Sequence, residues 1–223
     1  MWSLFANIGY LILLLNLILF IKGFRNNGKA YSIFTWYLGV IFLVQITSMI
    51  LKKFNINNLY LSHFYFIGQF ILLSLFYLNI LKGELQKKIV KGCLIIVLLA
   101  LAIQYAIDFS LFLKFNLFEI FITSILLILY ATFHFYNMLN GKKEFYFINI
   151  GILFYLFGST ILFLVGNLTI VLSPKMNKIT WILNSILYVL YQILILVEWK
   201  KSFSKKREFK TILWKSVHCR KVK

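Results

Sequence analysis

Charge, proline, cysteine and histidine are all scarce in this sequence. Charged residues make up 13% of the 223, against about 25% in an ordinary water-soluble domain. In their place, 61% of the chain is hydrophobic and the mean hydropathy is +0.87. A soluble fold of this length has too little interior to hide so much apolar surface. A bilayer removes that requirement, because there the protein's exterior is itself apolar. The single proline is Pro174. Transporters with midplane sites usually interrupt their helices with Gly or Pro, so spans without proline argue against that design. The two cysteines, Cys93 and Cys219, have no CxxC partner and cannot make a disulfide framework. Three histidines, one of them near the C-terminus, are too few for a zinc hydrolase. No metal site and no cofactor are expected. GxSxG and HExxH are both missing. So are a lysine within the last apolar run, which a retinal Schiff base needs, and the Pro-Gln signature of two-repeat sugar transporters. The heavy use of Ile, Phe, Leu, Asn and Lys fits an AT-rich genome, so Phe and Asn counts alone carry no functional weight.

What the chain does contain is seven apolar runs, each near the 20 or so residues a spanning helix needs. They are Leu4–Ile21, Ala30–Leu51, Leu59–Leu81, Ile89–Ile107, Phe115–Leu139, Phe145–Leu172 and Ile179–Trp199. The fold class that follows is all-α: a polytopic bundle of seven transmembrane helices over residues 1–199, with a basic tail over 200–223. The first run has no charge before it and Lys22, Arg25 and Lys29 after it, the reverse of a cleavable signal peptide.

Lys and Arg in the connections set the expected orientation. Nineteen of the 24 fall on one side, with the C-terminal tail, and five on the other. The N-terminus is therefore expected outside and the C-terminus in the cytoplasm, in a bacterial inner membrane. Topology accounts for most of the net charge of +18, and no nucleic-acid partner is expected. The tail adds ten basic residues, including Lys205, Lys206 and Arg207, with Trp214 among apolar residues at helical spacing. Such a segment suits the anionic face of the bilayer or a cytoplasmic partner.

An ionisable group inside a bilayer costs roughly 2.5–3.5 kcal/mol on insertion scales, so each one calls for a reason. In the fifth run Asn116, Glu119, Thr123, Tyr130, His134 and Asn137 fall within about 60° of one another at 100° per residue. The seventh carries Thr180, Asn184, Tyr188, Tyr191 and Glu198; the sixth Asn149, Thr160 and Asn167; the third Ser62, Tyr65 and Gln69, with His63 beside them. The stated orientation gathers Glu119, His63, Tyr65, Gln69, Thr123, Asn167 and Asn184 in the outer half. The expectation is a ligand-binding polar pocket centred on Glu119, with His63 as its partner. Interhelical glue is the competing reading, since buried polar groups also hold bundles together.

The runs His63-Phe64-Tyr65 to Phe70, Phe147-Ile148-Asn149 to Asn167, Trp181 to Ser185, and the Glu119 region resemble a set of functionally uncharacterised small bacterial seven-helix membrane proteins. The resemblance implies a sensory role associated with two-component signalling. It departs at Gln69, where a second acid would be expected. Taken together, the expected function is a receptor-like sensory module that contacts the lipid bilayer and a cytoplasmic or membrane signalling partner. A small-solute transporter or channel, and a membrane-embedded lipid-modifying enzyme using Glu119 and His63, are the alternatives.

Overall fold

The computed structural model describes residues 2–139, 141, 143–172 and 174–204, with side chains outside 2–3, 167–177 and 204. The tail residues Lys205, Lys206, Arg207 and Trp214 lie outside the described residues. Among the described residues seven helices are long and apolar enough to cross a membrane: α1 Trp2–Gly23, α2 Lys29–Lys53, α3 Tyr60–Ile80, α4 Glu84–Ile107, α5 Leu117–Leu139, α6 Tyr146–Leu172 and α7 Pro174–Glu198. The protein is a multi-pass helical membrane bundle. In hydrocarbon a peptide group can bond only to the protein, and a helix satisfies every one within its own segment.

The helix ends have local causes. Gly28 precedes α2 with φ 86°, a conformation that glycine adopts without strain. α4 begins five residues earlier than its apolar run, because Glu84 suits the first turn of a helix and pairs with Lys87 at 3.0 Å. α7 likewise starts at Pro174 rather than Ile179, since proline's fixed φ suits the first helical turn. At its other end the chain does not leave the bundle at Trp199. Trp199–Ser204 continues as a π-helical turn, and Phe203 packs on Tyr31 and Phe145, with ring centroids 4.7 and 5.5 Å apart.

Helix neighbours are not simply sequential. Packing runs α1–α2–α3–α5–α6–α7 and back to α1, a closed six-helix ring. α4 stands outside it, against α3 and α5 alone among the other spans. Away from the end that carries the N-terminus, aromatic rings fill the ring's interior: Phe20, Phe34, Phe76, Phe145 and Phe203, from five different segments, pack in one cluster. Phe145 holds φ 54° although it is a bulky residue, a strained conformation kept by burial in this cluster. Hydrogen bonds tie the ring crosswise. Asn16 Nδ2 donates to Gln192 O at 2.8 Å and to Gln192 Oε1 at 3.0 Å; the Tyr191 hydroxyl donates to that of Tyr37 at 3.2 Å. The Tyr77 hydroxyl donates to Asn149 Oδ1 at 2.9 Å, and Asn149 Nδ2 to Ala131 O at 3.0 Å.

Two glycines let α6 and α7 approach closely, as the seven-residue spacing of Gly151 and Gly158 leads one to expect. A Cβ at Gly151 would sit 2.7 Å from the Tyr191 ring, and one at Gly158 2.6 Å from Leu187 Cδ1. Gly151→Val should therefore lower stability by about 1–3 kcal/mol through overpacking. Gly92→Ala, in open space on α4, should raise it by roughly 0.5 kcal/mol through a better helix propensity. Reversible unfolding in mixed micelles measures both; a neutral Gly151→Val would mean the close approach is not required.

Candidate functional site

The polar residues expected in one pocket occupy two separate places. The first is a cavity of about 540 Å³ inside the ring, at the end that carries the N-terminus. Every ring helix except α5 lines it, and Phe115 lies just before α5. Tyr65 and Asn184 face it, together with Tyr10, Tyr155 and Tyr188, while Ser48, Asn58 and Ser62 stand near its mouth. Phe66, Phe115 and Trp181 each meet Phe163 edge to face, with ring centroids 5.7–6.1 Å apart, and the four make one wall.

The lower limit of the cavity is a chain of tyrosines. The hydroxyls of Tyr65 and Tyr155 are 3.2 Å apart, which joins α3 to α6 across the ring. Tyr155 stacks on Tyr191 with centroids at 5.2 Å, and Tyr191 bonds Tyr37. Gln69 lies one turn beyond Tyr65 on the same face of α3, is 2% exposed, and its Oε1 has no partner among the described residues.

The second place is outside the ring, where α4 meets α3 and α5. Glu119 and His63 are 0% and 2% exposed, and His63 Nδ1 and Glu119 Oε2 share a hydrogen bond at 2.9 Å. The Tyr105 hydroxyl of α4 donates to the same oxygen and lies 2.9 Å from His63 Nδ1. Asn116 Nδ2 donates to that hydroxyl at 3.1 Å and to Gln104 Oε1 at 3.2 Å. Beyond α4 the short 3₁₀ helix Phe109–Leu113 folds over the cluster, and Phe112 stacks on His63 with centroids at 5.2 Å. Asp108 opens that turn by accepting from the Ser110 amide at 2.9 Å, and its hydrogen bonds to Ser110 hold its carboxyl below the usual range. Two atoms of the cluster, Glu119 Oε1 and His63 Nε2, have no hydrogen-bond partner among the described residues.

The structure thus brings Glu119 and His63 together and sets them apart from Tyr65 and Asn184. Thr123 donates to Glu119 O at 2.7 Å, so its hydroxyl serves its own helix. Asn167 belongs to α6, and its side chain lies outside the described residues. The polar stripe of α5 points largely toward α3 and α4, with Asn137 donating to Gln86 at 2.8 Å. Sequence reasoning singled out Tyr188 only as part of a stripe and passed over Tyr10 and Tyr155. Tyrosines near span ends usually belong to the interfacial belt, and only packing shows that these turn inward. Among the described residues no group of three or more His, Cys, Asp or Glu could hold a metal ion.

Chemically the buried cluster is a clamp. The paired side chains, with Tyr105, fix α4 and the 3₁₀ turn to the ring. Removing one partner of a buried pair leaves the other uncompensated and costs about 3 kcal/mol or more, whereas replacing both by apolar residues costs far less. Glu119→Leu alone should therefore destabilise the bundle by about 3 kcal/mol, and the double variant Glu119→Leu/His63→Leu should recover much of that loss. A double-mutant cycle by reversible unfolding reads the coupling; strictly additive losses would mean the two side chains do not act as a pair.

No protein-family model matches the chain, and no curated protein or solved structure matches it.

Proposed function

We propose that this protein is a receptor-like membrane module that takes a small molecule into the cavity of its helical ring and passes the event to a signalling partner at the opposite end. The cavity carries this reading. Its volume of about 540 Å³ falls within the roughly 300–1,000 Å³ typical of small-molecule sites. Its lining, mostly apolar and aromatic with a few placed polar groups, is also of the usual kind. A route for the signal is supplied by α7, whose Asn184 and Tyr188 face the cavity. The same helix continues through Tyr191 to the turn that packs Phe203 against Phe20, Tyr31 and Phe145. A transporter would share the cavity but would need passage through the ring. The aromatic cluster packed beneath the tyrosines supports a receptor instead. The orientation belongs to the same proposal: the 19-to-5 partition of basic residues places the cavity mouth outside the cell and the C-terminus inside. A bacterial inner membrane and a two-component partner complete it.

Two measurements test these statements. In thermal-shift assays of the purified protein, a compound that binds the folded state raises the melting temperature by mass action, by the equivalent of about 2.7 kcal/mol at a hundred times Kd. Ser62→Trp, which puts an indole into the cavity, should abolish that shift; a shift that survives it would place binding elsewhere. For orientation, single cysteines at Ser110 and Lys143 are introduced after Cys93 and Cys219 are changed to Ser. In intact cells a membrane-impermeant maleimide should label the first and spare the second, and the reverse pattern would invert the topology.

A further inference from the structure

The cavity's chemistry narrows what can occupy it. None of its lining residues is Lys, Arg, Asp, Glu or His. A charged ligand would leave water and meet no opposite charge there, at a cost of several kcal/mol that nothing returns. The tyrosines do not form an aromatic cage for a quaternary ammonium either. Tyr188 sits with its ring centroid 5.7 Å from Tyr155 and 6.2 Å from Tyr10, edge to face, and Tyr155 is stacked on Tyr191. The rings pack directly on one another, edge to face or stacked, with no room for a cation between them.

Some of the neutral polar groups have a direction as well. Ser62 Oγ donates its proton to Leu59 O at 2.6 Å, and Ser185 Oγ donates to Trp181 O at 2.9 Å. Asn58 Nδ2 donates to Ser48 Oγ at 2.8 Å and to Ser48 O at 3.2 Å. These donors are spent on the protein, while the hydroxyls of Tyr10 and Tyr188 in the same lining can donate or accept. Asn184 Oδ1 adds a buried acceptor with no partner among the described residues. A buried acceptor left unmatched is costly, so the complementary ligand brings a donor. Beside this acceptor stands the wall of Phe66, Phe115, Phe163 and Trp181, which suits an apolar ring or chain.

We infer that the cavity takes an uncharged, largely apolar molecule carrying a hydroxyl or amide N–H that donates to Asn184. This deepens the receptor reading and rests on it.

The test uses three matched probes on the full-length protein in nanodiscs: 4-heptylphenol, which is neutral and has a donor; 4-heptylanisole, which is neutral and lacks one; and 4-heptylbenzoate, which is anionic. Binding is read as the thermal shift of the wild type minus that of Ser62→Trp, so that partition into lipid cancels. The phenol should bind about five- to tenfold tighter than the ether, the worth of one hydrogen bond. Asn184→Leu should close that gap while keeping ether binding, and the benzoate should bind weakest. Benzoate binding as tight as the phenol, or a phenol–ether gap that persists in Asn184→Leu, overturns the ligand class and leaves the cavity as the binding site. Equal shifts for the wild type and Ser62→Trp with all three probes overturn the ligand class and the cavity reading together.

Discussion

A peptide group in hydrocarbon has no water to bond, and that constraint lies beneath every other feature of the molecule. It makes each span a helix whose backbone is closed to its neighbours, so the helices can be held together only through side chains. Here the contacts are of three kinds. Glycines on α6 let α7 approach within contact of the backbone. Aromatic rings from five segments interlock where the ring closes. Polar groups bridge pairs of helices, from Asn16–Gln192 to Tyr77–Asn149. Between helices already immersed in lipid, packing and hydrogen bonding replace the hydrophobic effect as the source of association.

The ring is packed unevenly, and the function proposed for it depends on that. At one end the interior is filled with rings of Phe and Tyr. At the other the ring holds a largely apolar and aromatic space into which tyrosines, serines and amides are set. Glu119 and His63, the most expensive groups to bury, do not serve this space. They hold α4 and its 3₁₀ turn to the outside of α3 and α5, with Tyr105 and Asn116 completing the cluster. The two polar centres lie on different sides of α3. His63 faces α5 and Tyr65 faces the cavity, two residues and about 200° apart on the helix.

A second polar network lies at the C-terminal end of α7. Glu198 is 1% exposed, yet its Oε2 accepts from the Phe147 amide at the start of α6 at 2.7 Å, and its Oε1 accepts from Ser202. A carboxylate at a helix N-terminus meets unpaired N–H groups and the positive end of the dipole. Trp199 Nε1 donates to Leu19 O at 3.1 Å, which ties the same turn to α1. The end of α7 is thereby tied to α6 and α1.

The seven spans and the helical class were legible in the sequence, because run length and the absence of charge follow directly from bilayer thickness and hydration. The inward face of α5 was legible too, since a polar stripe on an otherwise apolar helix has to meet protein rather than lipid. The pairing of Glu119 with His63 could be suspected only because few buried groups were available to match. Tertiary structure alone decided that α4 leaves the ring, that the Glu119 cluster therefore lies outside it, and that Tyr10, Tyr155 and Tyr188 turn toward a cavity. The reason is physical. Hydropathy reports how far a segment prefers lipid to water, and helical periodicity reports which residues share a face. Neither reports which neighbour that face meets, because in a bilayer one apolar helix is as good a neighbour as another until glycines, rings and hydrogen bonds select among them.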